Sequence, residues 1–238
     1  KSKGSRFKIM NKNINLPALI LCGGKGLRLR PITKDTPKPL IRINTKPILY
    51  YIINHLQKQG INEFIIATGY KSNKIESFMK NQFNKLSYQI VNSGNVSILQ
   101  RIKDSLKVIN NDFLLCYGDT ITDINIQKLI KHHKKHSNLV TISSYPITIP
   151  FGVMKTKNNF VYSFDEKPVL EDVMNIGYYY FSKESHKIIL KKKDLVDLIK
   201  ELIKKKKLTC YNHKGIHITI NTVTELEYAH KNISKIYK

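Results

Sequence analysis

The residue types best suited to chemistry are concentrated in Leu16–Leu40, LPALILCGGKGLRLRPITKDTPKPL, where Gly23, Gly24 and Gly26 are followed by Arg28, Arg30 and Lys38. Glycines without Cβ atoms let successive backbone N–H groups close on an anion, and the cations supply countercharge, so the pattern is that of a phosphate cradle. Two familiar phosphate motifs are excluded by spacing. A Walker A loop needs Gly-x-x-x-x-Gly-Lys and then Ser or Thr, whereas Arg28 stands five positions beyond Gly23; a dinucleotide fingerprint needs a third small residue where Leu29 stands. A plain glycine turn would also read GGxG. Pro37 and Pro39 favour the cradle, because by flanking Lys38 they predict a stiff, extended support that presents the ammonium group.

A second chemical position is Asp119, in Tyr117-Gly118-Asp119 after the apolar run of residues 112–117. A carboxylate at the carboxyl end of a strand, beside a phosphate loop, suits Mg²⁺ held between protein and triphosphate. Gly-Asp is also ordinary turn chemistry, and a capping or turn role for Asp119 is the competing reading. His132, His133 and His136 could suggest a metal pair, but they alternate with Lys131, Lys134 and Lys135. Metal sites want buried acceptors behind their histidines, so a solvated helix face is expected.

The elements needed to position these groups alternate. Leu16–Cys22 reads as a strand buried on both faces. Pro47 then opens an amphipathic helix that stops at Gly60, residues 63–68 read as a strand, 73–84 as a helix, 87–91 as a strand, 98–109 as a helix and 112–117 as a strand. Such β-α-β alternation predicts an α/β fold: a Rossmann-like, mostly parallel mixed sheet with helices on both faces and ligands beyond the strands' carboxyl ends. Past the helix at 126–136, short runs at 139–145, 153–155, 160–164 and 177–181 predict a smaller antiparallel or mixed layer over the site. Residues 194–206 form an amphipathic helix that serves packing. Strands at 208–211 and 216–220 follow, and Thr224 with Glu227 predicts a capping box for a terminal helix.

At 238 residues the chain can bury one substantial core. Its 41 Lys and Arg against 17 Asp and Glu give a net charge of +24, which invites a nucleic-acid or membrane reading. The lysines are spread along the whole chain, with runs at expected helix ends, so neither partner is favoured. Three scattered cysteines, Cys22, Cys116 and Cys210, form no C-x-x-C pair and imply neither a disulfide framework nor zinc; a reducing cytoplasm is the expected setting. No apolar stretch approaches the ~20 residues of a membrane span. Residues 1–9 precede Met10 and are set outside the fold, leaving residues 10–238 as a single domain.

GGKGLRLRP with PKP downstream resembles the signature of the sugar-phosphate nucleotidylyltransferases, also called nucleotide-sugar pyrophosphorylases, and the resemblance spans residues 16–235. It continues through Phe151-Gly152, Glu166-Lys167-Pro168 and Asn175-Ile176-Gly177, in that order. The resemblance implies attack of a sugar 1-phosphate on the α-phosphate of a nucleoside triphosphate, with release of pyrophosphate. It implies that Leu21, Gly23, Gly24, Gly26, Arg28, Lys38 and Gly118 bind the nucleotide and that Arg28, Lys38 and Asp119 act in catalysis. Gly152, Glu166, Lys167, Asn175 and Gly177 would bind the sugar phosphate, and Asp119 with Asn221 would hold Mg²⁺. Within the family the arrangement most resembles the glucose-1-phosphate cytidylyltransferases, making CTP the favoured nucleotide in a polysaccharide-precursor pathway; homo-oligomers fit the family as well. Four positions depart from it. Leu27 replaces a threonine, Leu99 and Gln100 replace glycines near the base, and Asn221 replaces a second metal-binding aspartate. They keep a rival reading open, a weak or inactive homologue that binds nucleotide-sugars as a regulatory or assembly partner.

Overall fold

The computed structural model describes residues 13–136 and 138–237. The expected domain start at residue 10 and the segment 1–9 lie outside the described residues. Along the chain come β1 (Ala18–Leu21), β2 (Arg42–Ile43), β3 (Lys46–Pro47), α1 (Ile48–Lys58), β4 (Glu63–Thr68), α2 (Ser72–Gln82), β5 (Ser87–Asn92), α3 (Ile98–Ser105), β6 (Phe113–Tyr117) and β7 (Thr120–Thr122). Then follow α4 (Ile126–His136), β8 (Val140–Thr148), β9 (Gly152–Lys157), β10 (Phe160–Glu166), β11 (Val169–Phe181), α5 (His186–Lys191), α6 (Leu195–Lys204), β12 (Leu208–Asn212), β13 (His217–Thr219) and α7 (Val223–Asn232).

Seven strands form one sheet in the order β12-β8-β11-β6-β1-β4-β5. β6, β1, β4 and β5 run parallel and β12 is parallel to β8, while β11 is antiparallel to both β6 and β8. The continuous apolar runs have a simple cause. Strand side chains alternate in direction, and here both faces are covered. On one side Ala18, Ile20, Phe64, Ile66, Leu114 and Cys116 pack with α1, α2, α4 and α7; on the other Leu19, Ile65, Ala67, Phe113 and Leu115 pack with α3, α5 and α6. The expected α/β class and mostly parallel mixed sheet are therefore the observed ones.

Several local expectations are corrected. β8 and the second half of β11 belong to the central sheet rather than to a covering layer; of these runs, β9 and β10 alone form a separate antiparallel hairpin. The reason lies in the length of β11, whose 13 residues reach from the hairpin into the core, where Tyr178–Phe181 pair with Phe113–Cys116. α3 ends at Ser105, four residues short of the expected 109, and the chain continues as a turn. α7 is capped by Thr222 and Glu225, one of two overlapping T-x-x-E registers, rather than by Thr224 and Glu227. The helix face at His132–His136 is not uniformly solvated. His133 is buried, lies 2.9 Å from Thr141 Oγ1 and stacks on Tyr180.

Candidate active site

β1, β4 and β6 all deliver loops to the same sheet edge, as parallel neighbours must. β1 hands over to Cys22-Gly23-Gly24 and to three single 3₁₀ turns, Leu27–Leu29, Ile32–Lys34 and Lys38–Leu40. Lys38 thus opens a 3₁₀ turn capped by Pro37 instead of lying in extended chain, because the Leu40 and Ile41 amides close back on the Pro37 and Lys38 carbonyls. The stiff support expected from the prolines is retained in a tighter form. The loop is pinned from β4 by Tyr70, whose hydroxyl donates to the carbonyls of Thr33 (3.1 Å) and Lys34 (2.8 Å) and whose amide donates to Gly23.

At the centre of this loop cluster is an ion pair with a shared amide. Lys38 Nζ donates to Asp119 Oδ2 at 2.5 Å and to Asn221 Oδ1 at 2.8 Å, and Arg28 Nη2 donates to the same Asn221 oxygen at 2.9 Å. Asp119 follows β6, and Asn221 follows β13, which pairs with β7 and is followed by Ile220, whose backbone N–H donates a hydrogen bond to the Asp119 carbonyl. Asn221 is itself fixed, its amide group donating to Thr219 Oγ1 and its backbone N–H to Glu225 Oε2. Two cations therefore stand over one carboxylate and one neutral oxygen, an arrangement with spare positive charge for a polyanion.

These groups open into a cavity of about 510 Å³ lined by Leu21, Cys22, Gly23, Gly24, Arg28, Lys38, Gly118, Asp119, Asn175 and Asn221 among others. The expected site residues divide here. Gly26 packs behind the loop on Thr33 and Lys38. Gly177, at φ 75°, lets β11 pass the Tyr117 ring, which a Cβ would strike. Gly152, Glu166 and Lys167 do not line the cavity. They meet one another on the hairpin, where Gly152 pairs with Glu166 and the Lys167 amide donates to Phe151. The expected sugar set is thus split between the cavity wall and a hairpin outside it. A larger cavity of about 830 Å³ lies at the opposite strand ends around Asn111, Asp112 and Lys134, without the glycine loop or the Lys38 cluster.

Arg101 was not legible as a site residue. It is buried on α3, donates to the Thr68, Gly94 and Val96 carbonyls, and occupies the space that a Cβ on Gly23 would need. Burial lowers its pKa. Its position beside Leu99 and Ile102, on the apolar face of a short amphipathic helix, was the available signal. The family-unlike Leu99 and Gln100 form the first turn of α3, where the Gln100 amide is capped by Ser97 Oγ and Leu99 enters the core. Leu27 is 57% exposed on the loop. Cys22 lines the cavity, but burial and then the neighbouring Asp119 charge push its thiol well up, so it supplies no thiolate.

A family model described as Nucleotidyl transferase matches residues 17–218. The chain belongs to this family. It is 31% identical to a Bacillus subtilis protein described as a probable glucose-1-phosphate cytidylyltransferase, across 89% of this chain and 93% of that one. It is 35% identical to D-glycero-alpha-D-manno-heptose 1-phosphate guanylyltransferase of Campylobacter jejuni, across 71% of this chain and 77% of the relative. In fold, this family member resembles UDP-glucose pyrophosphorylase complexed with UDP-glucose (TM-score 0.74, 19% identity, 92% of this chain and 98% of that one) and HddC from Yersinia pseudotuberculosis (0.72, 23%, 92% and 99%). No helix among the described residues is long and apolar enough to cross a membrane.

Proposed function

We propose that this nucleotidyl transferase joins a nucleoside triphosphate to a sugar 1-phosphate, forming a nucleotide-sugar and pyrophosphate, with CTP as the favoured nucleotide. The observation that carries the reading is the Lys38 ammonium held between Asp119 and Asn221 at the mouth of the glycine loop, with Arg28 on the same amide oxygen. The family's relatives include cytidylyl and guanylyl transferases acting on sugar 1-phosphates, and the preference for CTP rests on the likeness to the cytidylyl member.

The chemistry follows from charge. A sugar phosphate oxygen attacks the α-phosphorus and the bond to the β-phosphate oxygen breaks, so two polyanions must be brought together and their growing charge neutralised. Lys38 and Arg28 would pair with α-phosphate and departing pyrophosphate oxygens, and the Gly23–Gly24 backbone would approach the phosphates closely. A phosphate monoester is already anionic near neutral pH and needs no general base.

Asp119 Oδ2 and Asn221 Oδ1 converge on one point, since both lie within 2.8 Å of Lys38 Nζ. Two oxygens aimed at one cation position fit Mg²⁺, with a single formal charge between them and the remaining ligands left to triphosphate and water. When bound, the ion would supply neutralisation of the triphosphate oxygens; Lys38 would then be free to turn toward the phosphates.

The test is a pyrophosphate-release matrix of CTP, GTP, UTP and dTTP against several sugar 1-phosphates with Mg²⁺. One active pair, expected with CTP, supports the reading and names the substrates. Tight binding of a nucleotide-sugar with no release from any pair supports the rival regulatory role, which the replacement of an aspartate by Asn221 favours.

A further inference from the structure

The exposed apolar side chains are gathered in one place. Of the nineteen large ones among the described residues, nine lie between Phe151 and Val173, on the β9–β10 hairpin and the first half of β11. Scattered singly such groups need no partner; gathered, they mark an interaction surface. Both sides of the ribbon take part. Phe160 stands opposite Lys157 and Phe164 opposite Met154, and residues 157 and 154, an odd number of positions apart on β9, point to opposite faces. Phe160, Phe164 and Met154 are each more than half exposed, so apolar side chains lie open on both faces. A two-stranded ribbon is marginal in water unless something packs on it, and β9 and β10 pair with no third strand among the described residues. None of Met154, Phe160, Tyr162 and Phe164 lines the 510 Å³ cavity, so a substrate held there leaves them uncovered.

What covers them follows from charge. Residues 150–175 carry Lys155, Lys157 and Lys167 against Asp165, Glu166, Glu171 and Asp172, in a chain with 41 Lys and Arg against 17 Asp and Glu. The ribbon is thus a slightly acidic part of a strongly basic molecule. Laid on the body of a second copy it meets opposite charge, whereas two bodies meeting directly would repel. An anionic bilayer is the poorer match, because segments that enter its surface bring an excess of Lys and Arg, and here the carboxylates outnumber the cations. Area agrees with a second copy. The nine side chains expose on the order of 800 Å² per copy, about what each partner gives to a standard interface.

We infer that the chain forms a two-fold dimer in which the β9–β10 ribbon of each copy lies with one face against the ribbon of the other copy and with its second face against that copy's basic body. A two-fold axis makes each ribbon both giver and receiver, so the contact is self-complementary and closes at two copies. Repulsion between the bodies opposes the apolar gain, so the dimer is reversible and its population depends on concentration.

Sedimentation velocity over a concentration series tests this. Wild type should pass from monomer to dimer as the concentration rises. Phe160→Ser and Phe164→Ser should each raise the dissociation constant about 10-fold or more, as loss of a buried aromatic anchor does, because the two rings sit on opposite faces and both faces are covered. Glu171→Lys combined with Asp172→Lys keeps every apolar side chain and should raise it as well. Val196→Ser, at another exposed apolar position on α6, should leave it unchanged. The melting curve of every variant should stay cooperative, since none of these side chains belongs to the core. A wild type that is monomeric at every concentration overturns the inference, and so does a dimer that the ribbon variants leave intact. Loss with only one of Phe160→Ser and Phe164→Ser would mean a single covered face and overturns the two-sided contact. A monomer that binds phosphatidylglycerol vesicles through Phe160 and Phe164 would give the surface to lipid, and one in which residues 1–12 crosslink to the ribbon would give it to that segment; either result overturns the dimer.

Discussion

The two ends of the candidate site are built in opposite ways. At the phosphate end, Lys38 and Asp119 are largely buried, with side chains 12% and 27% exposed, and Arg28, Lys38 and Asp119 are each bonded to a group from a different element. At the hairpin end, Phe151, Phe160, Tyr162 and Phe164 are 72%, 78%, 67% and 60% exposed, and Glu166 and Lys167 stand outside the cavity. The first end sits on the carboxyl ends of strands buried on both faces; the second sits on a two-stranded ribbon, which has no core of its own. A charge cluster has to be held rigidly to stabilise a transition state; on the proposed function, Glu166 and Lys167 would meet the sugar phosphate from an element without that rigid support.

The largest effect should come from breaking the rigid end. Lys38→Ala is expected to lower turnover on the order of 100-fold or more, comparable to removing one transition-state donor, while the thermal melting curve stays cooperative. A variant with wild-type turnover would remove Lys38 from the chemistry. The hairpin end should respond differently. Lys167→Ala should raise KM for the sugar phosphate about 10-fold, with nucleotide affinity measured alone unchanged; a parallel loss of nucleotide affinity would show that the two ends do not divide the ligands as described.

Asn221→Asp sharpens the comparison by adding charge at the rigid end. Mg²⁺ dehydrates reluctantly and gains from each carboxylate, so the concentration for half-maximal pyrophosphate release should fall about 10-fold. The same variant would also tighten Lys38 and Arg28, so titrating Mg²⁺ in Asp119→Ala alongside separates the two consequences. An unchanged Mg²⁺ requirement in Asn221→Asp would mean that Asn221 does not face the ion.

The smallest effect concerns the frame under the rigid end. Burial lowers the pKa of His133 to about 4, and that of His55 is lowered for the same reason. Such a ring takes up its proton in the unfolded chain first, so its stabilising contribution is complete above the ordinary histidine value near 6.5 and is lost as pH falls toward 4. The melting temperature should drop by several degrees over that range, and His133→Phe should flatten the decline. The hairpin holds no histidine between residues 150 and 175 and should show no such dependence. A melting temperature independent of pH between 6.5 and 4 would contradict the buried neutral state of His133.

Much of this molecule was legible in one dimension because the cues were local. The apolar runs, the glycine loop, the prolines around Lys38 and the Gly118-Asp119 turn lie within short stretches, and each element's existence and type follow from such stretches. The resemblance to the nucleotidyl transferases rested on those stretches too. What local cues could not supply was contact between residues far apart in the chain. Asn221 meets Lys38 across 183 positions and Arg28 across 193, and only the β13–β7 pairing brings them together. The placing of β8 and β11 in the central sheet was decided by the register of β11 against β6, which no strand-like composition reveals. His133 left solvent for the core because it packs on Tyr180 of β11, and the role of Arg101 depends on Gly23 lying against it. Sequence by itself determined which elements form and which residues carry charge to the sheet's edge. Tertiary structure decided which of those charges touch, since a pairing between distant strands is settled by packing both faces of the sheet at once.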